Sequence, residues 1–111
     1  MKDKRLYFTK MLEYIRKARE YAQGVTYEDF AEDSQKMFAC AFAICQISEL
    51  AQRVKDEDKK LHAVIPWNAI RAMRNHIVHN YDHIDKEILW DTVAVDLPKL
   101  GAELEKILQL D

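Results

Sequence analysis

An arginine, a histidine and a tyrosine lie within eight residues of one another in the segment RNHIVHNY, residues 74–81. An arginine can hold two phosphate oxygens in a fork and stabilise the charge that develops on them in a transition state. A histidine exchanges protons near neutral pH, so it can take a proton from a ribose 2′-hydroxyl or give one to a leaving 5′-oxygen. Arg74 and His79 could therefore support the cleavage of RNA without a metal ion.

The position of these residues on a helix decides whether they can act together. Successive helical residues are rotated by about 100°, which separates Arg74 and His79 by about 140° around the axis. Asn75 shares the face of His79 and could orient the phosphate or the imidazole, and Arg71 on that face is a candidate phosphate contact. One helix would make only a loose site, whereas two copies facing each other across a two-fold axis would bring both groups into one cleft. The geometry therefore favours a homodimer.

Other interpretations of the same residues are open. An isolated arginine and histidine on a helix are more often surface residues than catalytic ones. His76, His79 and His83 share one helical face at a spacing typical of zinc or nickel ligands, but no nearby cysteine completes a set of four. We therefore expect no metal ion and no cofactor. Tyr81 lies at the margin of a predicted core stripe, where it is either a packing residue or an accessible hydroxyl group.

The composition predicts one helical domain. The chain has 111 residues, of which 49% are hydrophobic, and it has only two glycines and two prolines for turns. No apolar run approaches the roughly 18 residues of a membrane span. The charged start MKDKRLYF is typical of a cytoplasmic protein rather than of a secretory signal. Cys40 and Cys45, five residues apart in a helical pattern, are expected to be reduced core residues.

The charge is unevenly distributed along the chain. The net charge of −2 argues against strong non-specific binding to nucleic acid. Residues 1–23 carry seven basic and three acidic residues, a local charge of +4, whereas the remainder carries ten and sixteen, a local charge of −6. A basic first helix on an acidic body could meet phosphates or an acidic partner, although a solvated face is the usual explanation.

Apolar periodicity and capping residues locate the first two long helices. The first runs from about Asp3 to Gln23, and Gly24 lies where a C-cap belongs. A short helical turn capped by Thr26 follows. The second long helix, capped by Ser34, is apolar most of the way round, so it should be the central and most buried helix.

The second half of the chain contains the helix that carries the motif. The segment KDEDKK is interpreted as a solvated turn, after which Pro66 begins a third helix that extends to Tyr81. The last segment runs from Lys86 to Leu108, and Pro98 predicts a break or kink near Asp96. The predicted fold is an all-α antiparallel bundle of four to five helices that spans residues 1–111 as one domain.

The segment IPWNAIRAMRNHIVHNY resembles the signature of the HEPN superfamily, and within it the HepT-like toxins of prokaryotic toxin–antitoxin pairs. That group carries the pattern R-x-x-x-x-H-x-Y, whose three positions are filled here by Arg74, His79 and Tyr81. The flanking residues agree from about Pro66 to the end of the chain, including a segment that begins at Trp90. The additional histidines on either side of His79 are a departure, because the pattern does not include so many.

The resemblance implies an all-α homodimer that acts as a metal-independent endoribonuclease. It also implies a nucleotidyltransferase antitoxin of the MntA kind, which would silence the toxin by AMPylation of Tyr81. The alternative is a non-catalytic HEPN module that binds nucleotides or scaffolds the partner nucleotidyltransferase. The presence of both Arg74 and His79 favours the ribonuclease, since a scaffold would not need the pair. Growth arrest on expression would distinguish the two classes.

Overall fold

The structure, a computed structural model, describes residues 3–110, with side chains through residue 109. The elements are α1 (Lys4–Ala22), α2 (Tyr27–Ala31), α3 (Ser34–Arg53), α4 (Asp56–Leu61), α5 (Trp67–His79), α6 (Lys86–Asp91), a π-helical segment (Thr92–Asp96) and α7 (Leu97–Leu110). No strand occurs in this range, and the all-α prediction is confirmed. None of these helices is long and apolar enough to cross a membrane.

The first helix has the limits that its capping residues predict. The Asp3 carboxylate accepts a hydrogen bond from the Leu6 N–H at 3.2 Å, which satisfies one of the free amides at the start of α1. At the other end Gly24 adopts a φ of 72°, in the left-handed region that favours glycine after a helix. The inner face of α1 is fully packed by apolar side chains: Phe8, Met11, Leu12, Ile15 and Ala18.

The two glycines predict opposite effects of an alanine substitution. At Gly101 in α7 a Cβ atom would lie 3.4 Å from Ile15 Cγ2 and 3.6 Å from Leu12 Cδ1, which are ordinary contact distances. Because alanine favours a helix over glycine by about 1 kcal/mol, Gly101→Ala should raise the free energy of unfolding by up to that amount. Gly24→Ala should lower it by about 1 kcal/mol, because a side chain is strained at positive φ.

Chemical denaturation of both variants beside the wild type measures these changes. A loss of stability in Gly101→Ala would show that α1 and α7 cannot accommodate one additional methyl group.

α3 is the central helix, with α1 packed on one side and α5 on the other. Its N-cap is Asp33 rather than the predicted Ser34, because the Asp33 carboxylate accepts the Lys36 N–H at 3.1 Å. The faces toward the neighbouring helices are buried as expected. The outer face is not, since Phe38 and Phe42 are 58% and 59% exposed. The apolar residues of α3 therefore form two surfaces, one buried against the neighbouring helices and one exposed to solvent.

The segment KDEDKK is a short helix, so its interpretation as a turn was wrong. α4 has three acidic residues in its first turn and two lysines in its last, an order that complements the helix dipole. The Trp67 indole N–H lies 3.2 Å from the carbonyl oxygens of both Lys59 and His62 and anchors the end of α4. His62 is half-buried, with its ring 5.6 Å from that of Phe8.

The predicted break near Asp96 is the π-helical segment that joins α6 to α7. The Leu97 N–H donates to the Thr92 carbonyl, five residues back. The ring of Pro98 would clash with the carbonyl four residues earlier in a regular α-helix, so the wider turn accommodates it. α7 can then pack along α1, while α6 contacts α2 and α3.

Candidate active site

The motif helix α5 lies on the outside of the bundle and packs mainly against α3. Of the predicted core stripe, Ile77 is fully buried, and Ile70 and Met73 are half-buried. Most of the remaining side chains of α5 are partly or fully exposed. The helix is therefore held along one face and presents the rest of its surface to solvent.

α5 ends at His79, two residues earlier than predicted. The Asn80 side-chain amide donates to the His76 carbonyl at 2.8 Å, and its N–H donates to the Ile77 carbonyl at 3.3 Å. These bonds satisfy carbonyl groups that the end of a helix leaves free. Tyr81 consequently lies in the turn that follows, and its side chain is 72% exposed. Its placement at the margin of the core was wrong, and its hydroxyl group is accessible.

Arg74 is held in place by two neighbours. One terminal nitrogen donates to Asn75 Oδ1 at 3.2 Å, and the other lies 3.6 Å from Glu49 Oε1 on α3. The Arg74 side chain is 32% exposed, and such a pair near the surface contributes at most about 1 kcal/mol to stability. The main effect of the two contacts is to orient the guanidinium group. Asn75 therefore contacts Arg74, a role that its position on the predicted face of His79 did not indicate.

His79 is exposed on the last turn of α5. Because it is rotated by about 140° from Arg74, the two side chains leave the helix in different directions. Arg71 is also exposed, but it lies two turns before His79, beside Gln52 and Trp67. A single chain thus does not bring its predicted site residues into one pocket.

The three histidines near the end of α5 do not converge on one point. His76 is half-buried, with Nδ1 3.4 Å from the Asn80 amide nitrogen and Nε2 buried without a partner. His83 instead pairs with Asp82 at 2.7 Å on the exposed turn. Within residues 3–110 no group of three or more His, Cys, Asp or Glu side chains could hold a metal ion. The arrangement of these residues does not support the zinc or nickel interpretation.

The thiol group of Cys45 is half-buried and lies near Arg74. Burial raises the pKa of Cys45, an effect that the charge of nearby Arg74 partly opposes and that of Glu49 reinforces. Burial raises the pKa of Cys40, deeper in the core, to about 11. Both cysteines are free, and both stay protonated at neutral pH, as expected for core residues.

An apolar groove runs along the side of α5 that faces away from Glu49. It has a volume of about 690 Å³ and is open to solvent. Side chains from α3, α5, α6 and α7 line it, among them Ile44, Ile70, Met73, His76, Leu97 and Leu100. No single segment of the sequence indicates this groove, because its residues come from four separate helices.

Comparison with known proteins gives consistent matches. The family model described as ribonuclease HepT-like matches residues 11–107, which include every candidate site residue. The chain is 33% identical over 101 residues to the protein named "Probable ribonuclease HepT" from Thermococcus cleftensis, which covers 91% of this chain and 92% of that protein. It is 28% identical over 109 residues to a protein named "Putative RNase" from Caldanaerobacter subterraneus subsp. tengcongensis. That match covers 98% of this chain and 97% of that protein. No solved structure matches the chain.

The all-α fold and these matches define the class of the protein as an enzyme, a ribonuclease. The chain belongs to the ribonuclease HepT-like family. The resemblance carried by residues 66 onward is therefore confirmed, and the match extends it back through α3 and most of α1.

Proposed function

We propose that this protein is a metal-independent endoribonuclease that uses Arg74 and His79. One observation carries the proposal: both side chains lie on the outer helix α5 of a protein that belongs to a ribonuclease family. Arg74 is already oriented by Glu49 and Asn75, and His79 is exposed. Arg71, exposed on the same helix, is a supporting phosphate contact.

The proposed reaction needs only the groups that these side chains supply. An imidazole takes the proton of a ribose 2′-hydroxyl as its oxygen attacks the adjacent phosphorus. The bond from the 2′-oxygen to phosphorus forms, the bond to the 5′-oxygen breaks, and a protonated imidazole gives its proton to that oxygen. Arg74 holds the non-bridging oxygens and stabilises their charge. The products are a 2′,3′-cyclic phosphate and a 5′-hydroxyl.

The experiment that tests this proposal is an RNA cleavage assay with the purified protein, in the presence and absence of EDTA. We expect cleavage in both conditions and the two product ends given above. Cleavage that EDTA abolishes and that zinc or nickel restores would transfer the chemistry to a metal site. Absence of cleavage, together with binding to a nucleotidyltransferase, would support the non-catalytic alternative.

We further propose that the active form is a homodimer of this single HEPN-like domain, with two copies of α5 facing each other. Two features support it. Arg74 and His79 diverge on one helix, so a second copy is needed to bring an arginine to a histidine. Val78, which lies between Arg74 and His79 around the axis of α5, is also 42% exposed and offers an apolar contact on the face where a second copy would pack.

Charge placed on this face of α5 should disrupt the dimer. Val78 is exposed, so Val78→Asp should leave the fold intact, convert the protein to a monomer and abolish cleavage. Ala102→Asp on the exposed side of α7 is the control and should remain dimeric and active. Analytical ultracentrifugation at micromolar concentration measures the outcome. A wild-type protein that is monomeric and active would contradict the proposal.

The regulatory proposal concerns Tyr81. We propose that the protein is the toxin of a toxin–antitoxin pair and that a nucleotidyltransferase of the MntA kind is its antitoxin. The enzyme would transfer AMP from ATP to the Tyr81 hydroxyl and release pyrophosphate. The 72% exposure of Tyr81, two residues after His79, supports this, because the hydroxyl group must enter another active site.

A further inference from the structure

The outer face of α3 carries two phenylalanines that the rest of the bundle leaves uncovered. Phe38 and Phe42 lie one helical turn apart and are both more than half exposed, although α3 is the central helix. Single exposed apolar residues are common, but adjacent aromatic rings form a patch that is typical of a binding surface. Tyr14 of α1 extends the patch, with its ring centroid 6.5 Å from that of Phe42 at an angle of 71°.

The border of this aromatic patch on α1 is basic. Lys10 and Lys17 lie within about 60° of Tyr14 around the helix axis, so they flank the patch. Both are exposed, and neither forms an ion pair with another residue in the described range. They belong to residues 1–23, the segment with a local charge of +4. None of the proposed catalytic residues lies in that segment.

The opposite border of the patch is Arg74 on α5. Its guanidinium group reaches Glu49, which lies seven residues after Phe42 and therefore within about 20° of the same line along α3. Charged and aromatic side chains thus follow one another across three helices. Lysines of α1 come first, then the phenylalanines of α3, and finally the arginine to which we assign the scissile phosphate.

We propose that this face binds a single-stranded segment of RNA on its way to the cleavage site. Bases would stack on Phe42 and Phe38, and phosphates would pair with Lys10, Lys17 and, at the end, Arg74. The proposal rests on the ribonuclease function proposed above, and it names the form of the substrate and the surface that holds it. Stacking on aromatic rings accepts any base, so this face predicts little sequence preference.

The charge of the face favours this occupant. Its three cations, Lys10, Lys17 and Arg74, outnumber the two carboxylates beside them, Glu13 and Glu49, so its net charge is positive and complements a polyanion. An RNA duplex fits less well, because its bases are already stacked on one another and cannot reach the phenylalanine rings. Unpaired RNA satisfies both the aromatic and the basic side chains.

The test measures binding separately from cleavage. A fluorescent 2′-O-methyl oligoribonucleotide has no 2′-hydroxyl group to attack, so the wild-type protein can bind it without cutting it. By fluorescence anisotropy, Phe42→Ala should raise the Kd at least about fivefold, the loss expected for one stacked base. Lys17→Glu should raise the Kd and reduce the dependence of binding on salt concentration. A duplex of the same length should bind more weakly than the single strand.

Matched controls come from α4, on another part of the surface. Leu61 is 68% exposed, so Leu61→Ala removes another accessible apolar side chain, and Lys60→Glu reverses the charge of another exposed lysine. Both should keep the wild-type Kd. Thermal melting checks that all four variants are folded, as their exposure leads us to expect.

Each outcome has a separate meaning. An unchanged Kd in both Phe42→Ala and Lys17→Glu overturns the proposal, even if the protein cleaves RNA. Loss of dimer in Phe42→Ala without a change in Kd also overturns it, since the patch would then be a protein interface. Weakened binding in these variants supports the RNA-binding face even if the wild type cuts no RNA, in which case only the ribonuclease proposal fails.

Discussion

His79→Ala is expected to lower the rate of RNA cleavage by about 10²–10⁴-fold, the usual loss on removing a general acid or base. The side chain is exposed on the last turn of α5, so its removal leaves no cavity in the bundle. Circular dichroism and thermal melting should therefore match those of the wild type. Arg74→Ala should cause a similar loss of cleavage, with a small loss of stability because its ion pair with Glu49 is also removed.

A nearby histidine provides the control for this prediction. His83→Ala removes another exposed imidazole, four residues further along the chain, and should keep wild-type cleavage. If His83→Ala loses as much activity as His79→Ala, the assignment of the general acid or base to His79 is wrong.

Mixing the two inactive variants tests whether the site is shared between subunits. When the Arg74→Ala and His79→Ala proteins are refolded together, part of the population should contain one copy of each. Such a dimer retains one site in which the intact arginine of one subunit meets the intact histidine of the other. Partial recovery of cleavage is therefore expected, whereas no recovery would indicate that each chain carries its own complete site.

AMPylation of Tyr81 is expected to abolish RNA cleavage. The modification adds a bulky phosphodiester with one negative charge, two residues beyond His79. That charge can pair with Arg74 in place of the substrate phosphate, and the adenosine can occupy the cleft. Because Tyr81 lies in an exposed turn, neither effect disturbs the packed core. The silenced protein should therefore melt at nearly the same temperature as the active one.

Intact-mass spectrometry and peptide mapping after co-expression with the nucleotidyltransferase measure the modification. Tyr81→Phe should stay unmodified, keep its activity and arrest growth in the presence of the partner. Tyr21→Phe, at another exposed tyrosine, should be modified and silenced as the wild type is. If the partner suppresses toxicity while Tyr81 carries no nucleotide, silencing must occur by simple binding.

Local signals in the sequence were sufficient for the limits of α1 and for the break before α7. Asp3, Gly24 and Pro98 each act on the backbone within a few residues, so their effects could be predicted without knowing the fold. The error at Tyr81 arose because the helical wheel continued past Asn80, whose side chain ends the helix by bonding to the His76 carbonyl. The error at α4 arose because a charged segment without apolar periodicity was interpreted as a turn.

The candidate site was likewise predictable from the sequence only in part. Arg74 and His79 were found from their spacing and from the motif, but the partner of Arg74 was not. Glu49 lies 25 residues earlier on another helix, and only the packing of α3 against α5 brings it within 3.6 Å. The exposed phenylalanines of α3 were missed for a related reason. Apolar residues all round a helix predict burial only if neighbours cover every side, and here the outer side is open.

The weak attachment of α5 has a consequence for the motions of the protein. α5 buries only Ile77 completely, whereas α1 and α3 bury several side chains each. Segments with few buried apolar contacts open at a lower free energy than the whole domain unfolds. The helix that carries Arg74 and His79 can therefore shift or partly unwind while the packing of α1, α3 and α7 stays intact. Tyr81, in the turn that follows α5, can therefore reach the active site of the proposed modifying enzyme without unfolding of the remaining bundle.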